Sequence, residues 1–318
     1  MKKIAVIMGG PGSEHQVSLA TGRQMLANLS PAKYLVQPIL IGQDGFWRFG
    51  DSTKKVEVLE ALRRLQDFDV ALLALHGTFG EDGKLQAMLD LINLPYTGSG
   101  VLASAMAMDK MVSAHVLKGH GLRVPTSVVV TLEDWKSKKS LPKVKWPVIV
   151  KPVSGGSSVG VSKVMRAKSL PMALEAAFKW DRQVCLQEFI AGREFTCGVL
   201  ERGDETIILP PTEIILTSDK IFDYTSKYTV GACVEITPAK LSAGRTSQLQ
   251  DQALLAHRAL GCAGYSRTDF ILDSKGFIVL ETNTLPGMTE TSLLPQAAAA
   301  IGIDFSELLE ILIHNALR

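Results

Sequence analysis

The stretch VIVKPVSGGSSVGVSKV, residues 148–164, decides how the middle of this chain folds. Runs of β-branched residues stand on both sides of a loop of glycine and serine, and Pro152 ends the first run. This pattern predicts two strands joined as a hairpin. Lys151 stands at the entrance of the loop, whose small residues expose backbone N–H groups that can surround an anion. The stretch is therefore a candidate phosphate site, or else a plain surface hairpin with a solvated lysine.

Two common nucleotide motifs do not fit. In a P-loop the lysine follows the glycines, whereas Lys151 precedes them. The dinucleotide fingerprint opens a helix, but a strand pattern follows this loop. The N-terminal GGPGSEHQVS contains Gly10-x-Gly12, yet His15 occupies the position of the third glycine. The signal for NAD is correspondingly weak.

The composition is that of an ordinary globular protein, with 46% hydrophobic and 21% charged residues among 318. The formal net charge of +2 gives no electrostatic reason to expect nucleic acid as a partner. The four cysteines form no C-x-x-C pair, which is typical of a reducing compartment. The apolar run of five residues in MKKIAVIMGG is too short for a signal peptide, and no run approaches the roughly 18–20 residues of a membrane span. We therefore expect a cytoplasmic protein with no membrane partner.

The first third of the chain predicts strands and helices in alternation, near 4–8, 17–29, 36–41, 56–65, 70–77 and 83–95. Such an order with short connections implies a parallel, doubly wound sheet whose ligand edge lies at the carboxyl ends of the strands. Glu14, His15 and His76 follow the first and third strands, so we expect them near a small polar ligand. A single helix is predicted over 101–119.

The strongest candidate for a metal site is RTDFILDSKGFIVLETN, residues 267–283. It predicts two apolar strands, with Asp269 on the first and Glu281 and Asn283 on the second. Residues two apart share a face, and pairing across the hairpin can bring Asp269 to it. Two carboxylates and an amide oxygen suit Mg²⁺ when phosphate oxygens and water complete the coordination. The alternative is a solvent face with ordinary charges, although acids in such apolar strands are costly without partners.

Arg267 shares the face of Asp269. Its cation could stabilise charge that develops in a transition state, or it could form a salt bridge with Asp269 or Glu281. The following NTLPGMTETSLLP could offer the backbone N–H of Gly287 to an oxyanion. The hydroxyls of Thr289, Thr291 and Ser292 stand at the start of a predicted helix, an end that suits a carboxylate. Ordinary helix capping explains the hydroxyls equally well.

Taken in order along the chain, these segments resemble the ATP-grasp superfamily, and within it the D-alanine–D-alanine ligase family. The resemblance covers nearly the whole chain. It rests on GSEHQVS, LHGTFGEDG, MDK, VIVKPVSGGSSVGVSKV, FDYTSKY, GYSRTDF and LETNTLPGMTETSLLP. No single motif is decisive, but the ordered set is highly specific.

The resemblance implies an α/β and α+β fold, in which an N-terminal parallel doubly wound domain precedes a two-subdomain ATP-grasp fold. The expected bounds are 1–98 for the substrate-binding domain, 99–187 for the central subdomain with a phosphate flap, and 188–318 for the C-terminal subdomain with the metal site. The implied cofactors are ATP and two Mg²⁺ ions, with Mn²⁺ as a substitute. A homodimer is expected from the family alone.

The implied reaction joins two D-alanine molecules through a D-alanyl phosphate, giving D-alanyl-D-alanine, ADP and phosphate for peptidoglycan precursors. The alternative is a related ATP-grasp ligase that makes another amide or a D-alanyl ester of a hydroxy acid. In this family the tyrosine of the motif that here reads TSKY, Tyr228, goes with peptide formation. Its phenol would hydrogen-bond to Ser157 and on to Glu14.

The resemblance assigns roles by motif. Residues implied in nucleotide binding are Lys110, Lys151, Ser157, Ser158, Val159, Glu188, Phe189, Ile190, Glu194 and Lys227. Residues implied in substrate binding and catalysis are Glu14, Ser157, Tyr228, Arg267, Gly287 and Ser292. The implied metal ligands are Asp269, Glu281 and Asn283.

Three positions depart from the family pattern. Gly12 stands where a serine is usual, Gln187 where many members have an acid, and Thr291 where a histidine often precedes the matched serine. The first and third departures concern substrate contacts, and the second concerns the nucleotide.

Overall fold

The computed structural model describes residues 1–137, 141–156, 159–216 and 233–318, and the strands in this part form three sheets. The N-terminal sheet has the order β3-β2-β1-β4. Its strands are β1 (Lys2–Gly9), β2 (Tyr34–Ile41), β3 (Trp47–Phe49) and β4 (Val70–Leu73). β1 pairs in parallel with β2 and β4, while the short β3 is antiparallel. The predicted parallel α/β fold is confirmed.

The helices of this region are α1 (His15–Asn28), α2 (Val58–Leu65) and α3 (Lys84–Leu91). β1 and β4 are buried along almost their whole length, as expected for strands covered on both faces. Helix α1 lies very close to β1, because a Cβ atom added to Gly22 would come within 2.7 Å of the Met8 sulfur. This packing fixes the loop between β1 and α1, which carries Glu14.

A six-stranded antiparallel sheet has the order β12-β11-β9-β13-β14, with β10 beside β9. Its strands are β9 (Arg193–Arg202), β10 (Glu205–Ile208), β11 (Thr212–Leu216), β12 (Cys233–Ile236), β13 (Tyr265–Asp273) and β14 (Gly276–Asn283). Three helices from this part of the chain follow as α8 (Ala243–Ala259), α9 (Leu293–Ala299) and α10 (Phe305–Ala316). Helix α8 packs Leu249, Ala253 and Ala256 against one face of the sheet, and α10 packs against the N-terminal core.

A four-stranded sheet of order β5-β8-β6-β7 contains the predicted hairpin. Its elements are β5 (Ser127–Thr131), α6 (Leu132–Lys136), β6 (Val148–Pro152), β7 (Ser162–Val164), α7 (Leu170–Ala177) and β8 (Gln183–Glu188). β6 and β7 pair antiparallel, with Val148 opposite Val164 and Val150 opposite Ser162. The hairpin prediction is confirmed.

The prediction of one helix over 101–119 is wrong, because the chain forms α4 (Val101–Met108) and α5 (Lys110–Gly119) with a break at Asp109. Asp109 has an extended backbone, and its carboxylate accepts hydrogen bonds from the N–H groups of Met111 and Val112, both at 2.9 Å. Asp109 therefore acts as the N-cap of α5. The break places Lys110 in the first turn of a helix instead of in the middle of one.

In the part of the chain that the structure describes, no helix combines the length and the apolar character needed to cross a membrane.

Candidate active site

One face of the six-stranded sheet carries the predicted metal ligands. Asp269 on β13 lies directly opposite Glu281 on β14, and on its other side opposite Thr196 on β9. Directly paired residues of antiparallel strands share a face. Asn283 lies two residues beyond Glu281, so the three oxygen-bearing side chains meet on one surface as predicted.

Hydrogen bonds hold Asp269 in place. Its carboxylate accepts from the Thr196 hydroxyl at 2.7 Å and from the Asn283 amide nitrogen at 3.2 Å. Asp269, Glu281 and Asn283 offer a metal ion hard oxygen donors, and two of these three side chains are carboxylates. Within the described ranges, no group of three or more His, Cys, Asp or Glu side chains could hold a metal. A donor set this small fits Mg²⁺, which takes few protein carboxylates and completes its shell with phosphate oxygens and water.

Arg267 forms a two-point ion pair with Asp269. Its Nε lies 2.9 Å from Oδ1 and its Nη2 lies 3.0 Å from Oδ2. Of the alternatives that the sequence left open, the salt bridge to Asp269 is therefore present. Arg267 also lines a cavity beside the predicted metal ligands, so the ion pair does not exclude a role toward a substrate.

A first cavity, with an empty volume of about 1060 Å³, lies between the four-stranded and six-stranded sheets. The predicted nucleotide residues that line it are Lys110, Lys151, Val159, Glu188, Phe189, Ile190 and Glu194. Asp269 and Glu281 also line it. The structure thus brings together all the predicted nucleotide residues that it describes, beside the predicted metal ligands. Ser157, Ser158 and Lys227 lie outside the described residues.

Lys110 and Lys151 place two ammonium groups at this cavity. Lys151 is buried, and the Lys110 ammonium donates to the carbonyl of Gly155 at 2.6 Å, which ties α5 to the loop of the hairpin. Burial lowers the pKa of Lys110 to about 8, and the charge of Lys151 acts in the same direction. The Glu281 carboxylate opposes this shift. Two cations facing one cavity, Lys151 buried and Lys110 half-buried, favour an anionic ligand such as a phosphate chain.

The segment after β8 forms the opposite wall of the first cavity. The Glu188 N–H already donates to the Thr126 carbonyl at 2.8 Å, and the Phe189 N–H to the Pro147 carbonyl at 3.4 Å. The predicted contact of this segment with the nucleotide therefore falls to its other backbone groups. Lys163, which the sequence reasoning missed, places its ammonium 3.7 Å from the centre of the Phe189 ring and holds that ring by a cation–π contact.

A second cavity, with an empty volume of about 750 Å³, adjoins the first. The predicted substrate residues that line it are Glu14, Arg267, Gly287 and Ser292. Gly156 and Glu281 line both cavities, so the two spaces meet at these residues. Tyr228 lies outside the described residues. Glu81, within the motif LHGTFGEDG, and Glu235 also line this cavity, and the motifs assigned neither residue a role.

The Glu14 carboxylate is buried between two glycines from different parts of the chain. A Cβ atom added to Gly156 would come within 2.6 Å of Glu14 Oε2, and one added to Gly77 would collide with the same oxygen. Gly156 belongs to the loop of the hairpin and Gly77 to the loop after β4. A side chain at either position would displace this carboxylate, so the two glycines allow it to lie at the edge of the second cavity.

His76 lines the second cavity beside Glu14, whereas His15 hydrogen-bonds to the Gly10 carbonyl at 2.7 Å, within its own loop. The His76 ring is buried and bonds the Thr21 hydroxyl at 2.8 Å and the Leu285 carbonyl at 3.1 Å. Burial alone would lower the pKa of His76, but the neighbouring Glu81 carboxylate raises it above its ordinary value. Of the two predicted histidines, only His76 therefore faces the cavity.

Ser292 occupies the N-cap position of α9, but its hydroxyl makes no capping bond. It accepts instead from the Thr289 N–H at 2.9 Å and lies 2.7 Å from the Thr289 hydroxyl. A Cβ atom added to Gly287 would come within 2.8 Å of this hydroxyl. The simple capping alternative is thus not what the structure shows, and Gly287 is required by the close approach of Ser292.

Known families match this chain along almost its whole length. The model of the D-Ala-D-Ala ligase N-terminus matches residues 3–61 and 50–99, and that of the D-Ala-D-Ala ligase C-terminus matches residues 116–314. The chain belongs to the D-alanine–D-alanine ligase family.

Individual members of the D-alanine–D-alanine ligase family are similar throughout. The D-alanine–D-alanine ligase of Leptospira interrogans is 41% identical, over 100% of this chain and 99% of the relative. That of Syntrophotalea carbinolica is 42% identical, over 99% of this chain and 96% of the relative.

Two solved structures show the same fold. The VanG D-Ala:D-Ser ligase of Enterococcus faecalis has a TM-score of 0.87 at 34% identity, covering 99% of each chain. The D-alanine–D-alanine ligase of Bacillus anthracis complexed with ATP has a TM-score of 0.82 at 34% identity, covering 100% of this chain and 98% of that one. The ATP-grasp fold class is thereby confirmed.

Two of the three departures from the D-alanine–D-alanine ligase pattern line the cavities, and the third lies in a loop beside the second cavity. Gln187 is buried and lines the first cavity, and Thr291 lines the second. Gly12 lies against the loop after β4, where an added Cβ atom would be 3.0 Å from the Thr78 carbonyl oxygen. Glycine therefore allows a tight contact between two loops that border the second cavity.

Proposed function

We propose that this protein uses ATP to join two molecules of D-alanine into D-alanyl-D-alanine for peptidoglycan precursor synthesis. The single observation that supports this most strongly is the meeting of the two cavities at Glu281 and Gly156. One cavity presents Lys110 and Lys151, and the other presents Glu14, Arg267 and Ser292. A phosphoryl donor and an amino acid can thus occupy adjoining spaces.

The reaction needs two bond changes at one carboxyl group. An oxygen of the first D-alanine carboxylate attacks the γ-phosphorus of ATP, and the bond from that phosphorus to the oxygen shared with the β-phosphate breaks to release ADP. The product is an acyl phosphate, a far better acylating agent than the carboxylate. The amine nitrogen of the second D-alanine then attacks the carbonyl carbon and loses a proton, and the bond from that carbon to the phosphate oxygen breaks. Water must be kept out, since it would hydrolyse the acyl phosphate.

We propose the following role for each group, and its placement at the cavities supports that role. Lys110 and Lys151 bind the phosphates of ATP. The Glu14 carboxylate binds the ammonium of the first D-alanine. Arg267 and the Gly287 N–H stabilise the oxyanion that forms on the attacked carbonyl, as preorganised donors do in acyl transfer. Ser292 binds the carboxylate of the second D-alanine.

Asp269, Glu281 and Asn283 are the residues that would hold two Mg²⁺ ions, with Mn²⁺ as a substitute. When bound, the ions would neutralise charge on the phosphate oxygens. The bonds from Thr196 and Asn283 orient Asp269 for this purpose. We also propose that the protein acts in the cytoplasm as a homodimer, which sedimentation measurements on the purified protein can test.

One observation supports a different second substrate. The VanG structure with a TM-score of 0.87 is that of a D-Ala:D-Ser ligase, so D-serine is a candidate second substrate. Tyr228 supports an amine over a hydroxy acid, because its family motif goes with peptide formation.

The deciding experiment measures phosphate release from ATP and identifies the product by mass spectrometry. D-Alanine, L-alanine, D-alanine with D-serine, and D-alanine with D-lactate are supplied separately. We expect phosphate release and D-alanyl-D-alanine with D-alanine alone, and neither with L-alanine. Predominant ester or mixed dipeptide when D-alanine competes with D-lactate or D-serine between pH 6 and 9 would overturn the assignment of the second substrate. No phosphate release in any mixture would overturn the proposed function itself.

A further inference from the structure

Glu235 lies on the wall of the second cavity, on the short strand β12. It pairs with Ile214 of β11, which in turn pairs with Glu194 of β9. Directly paired residues share a face, so Glu235 extends the sheet face that carries the predicted site to its edge strand. The same cavity wall contains Arg267, Gly287 and Ser292.

The Glu235 carboxylate is held by neutral groups. Its Oε2 accepts from the Gln296 amide at 2.8 Å, and its Oε1 lies 3.9 Å from the Cys233 sulfur. Among the described residues, Gln296 and Cys233 are the polar side-chain partners of Glu235, and neither carries a positive charge. A half-buried carboxylate in a cavity is stabilised by an opposite charge, which an ammonium group on a ligand can supply.

Helix α9 sets the spacing between Glu235 and Ser292. Gln296 donates through its side chain both to Glu235 and, at 2.9 Å, to the Thr291 carbonyl, while its backbone N–H donates to the Ser292 carbonyl at 3.2 Å. One residue thus connects the carboxylate of Glu235 to the first turn of the helix that Ser292 begins. A zwitterionic amino acid presents a carboxylate and an ammonium group together. On this wall, the Ser292 hydroxyl suits the carboxylate and the Glu235 carboxylate suits the ammonium group.

We infer that Glu235 is a specificity-determining residue that binds the ammonium group of the second amino acid, held in position by Gln296. The inference rests on the proposed function, because it requires an amino acid in the second position. A hydroxy acid such as D-lactate has no ammonium group and gains nothing from this carboxylate. Glu235 therefore favours an amine over a hydroxy acid at the encounter step, before any bond forms.

The test compares the unmutated enzyme with Glu235→Gln, which keeps the shape and removes the charge. Dipeptide formation is measured at saturating ATP over a range of D-alanine concentrations wide enough to separate the KM values of the two alanines. We expect the KM of the second D-alanine to rise at least tenfold, while kcat and the KM of the first change less than twofold. In competition with D-lactate, the fraction of ester should rise. Glu290→Gln, at an exposed position of the loop before α9, is the matched control and should change none of these quantities.

If Glu235→Gln changes neither the KM for the second D-alanine nor the fraction of ester, the inference is overturned and the ligase function still stands. Absence of dipeptide from the unmutated enzyme would overturn both together, so the two failures are distinguishable. Gln296→Leu provides a second variant in case Glu235→Gln does not fold, because it releases the same carboxylate without altering it. In Gln296→Leu we expect a smaller rise of the KM for the second D-alanine, and the absence of any rise would count against the inference.

Discussion

Asp269 and Glu281 lie directly opposite each other across the β13–β14 hairpin, and the register shifts by one residue immediately beyond them. Phe270 is paired with Val279, which leaves Leu280 as the extra residue of a β-bulge. Bulges of this kind re-aim side chains and are frequent beside active sites. Here the bulge adjoins Glu281, whose carboxylate lines both cavities.

Replacing Glu281 with glutamine should abolish turnover while the protein stays folded. Loss of residues that only support metal ligands commonly costs 10–100-fold, so loss of a charged ligand should reduce kcat by about a hundredfold or more. The measurement is phosphate release as a function of Mg²⁺ concentration, with folding checked by circular dichroism. Glu205→Gln, an exposed carboxylate on β10, is the control. A folded Glu281→Gln enzyme with a near-normal rate would remove Glu281 from the metal site.

Lys110 should make the affinity for ATP fall in alkaline solution. Its pKa is lowered from 10.5 to about 8, so in the free enzyme the ammonium loses its proton as the pH rises through 8. Phosphate binding needs the charged form, and the charged fraction falls about tenfold between pH 7 and 9. We expect the KM for ATP to rise by about the same factor over this range. Lys110→Arg stays charged throughout and should lack this rise. An equal pH dependence in both enzymes would assign it to another group.

Gly156→Ala should weaken binding of the first D-alanine. The added methyl group would lie within 2.6 Å of Glu14 Oε2, so the carboxylate must shift from its place at the second cavity. We expect the KM for the first D-alanine to rise about tenfold, which corresponds to a loss of about 1.4 kcal/mol in the free energy of binding. Gly244→Ala, where the added Cβ atom meets open space in α8, controls for the substitution itself. A normal first KM in Gly156→Ala would show that Glu14 does not bind this substrate.

Asp109→Ala should cost stability and nucleotide affinity together. Loss of an N-cap destabilises a protein by about 0.5–2 kcal/mol, and here it also frees the turn that carries Lys110. Asp304 caps α10 in the same way, by accepting from the Glu307 N–H at 2.8 Å, but lies away from the cavities. We expect both alanine variants to unfold at lower denaturant concentration, and only Asp109→Ala to raise the KM for ATP. Similar KM values in the two variants would show that the cap serves stability alone.

The local patterns of the sequence predicted the secondary-structure units that carry the site. Alternation and turn residues placed the β6–β7 hairpin and the β13–β14 hairpin, because strand periodicity and turn chemistry are properties of neighbouring residues. The shared face of Asp269, Glu281 and Asn283 follows from the same periodicity. The helix over 101–119 was predicted wrongly, since Asp109 is compatible with a helix interior and with a cap, and only its contacts with the hairpin loop decide between them.

The sequence by itself determined which residues could bind phosphate, metal and an oxyanion, and the ordered motifs determined the family. Only the tertiary structure decided that Arg267 pairs with Asp269, that His76 faces the second cavity whereas His15 does not, and that Glu235 joins its wall. The physical reason is distance along the chain: Glu14, Gly156 and Ser292 lie in three different loops, and Glu235 lies on β12. No local periodicity relates such residues, and packing of the N-terminal core against the later helices and sheets is what brings them to one cavity.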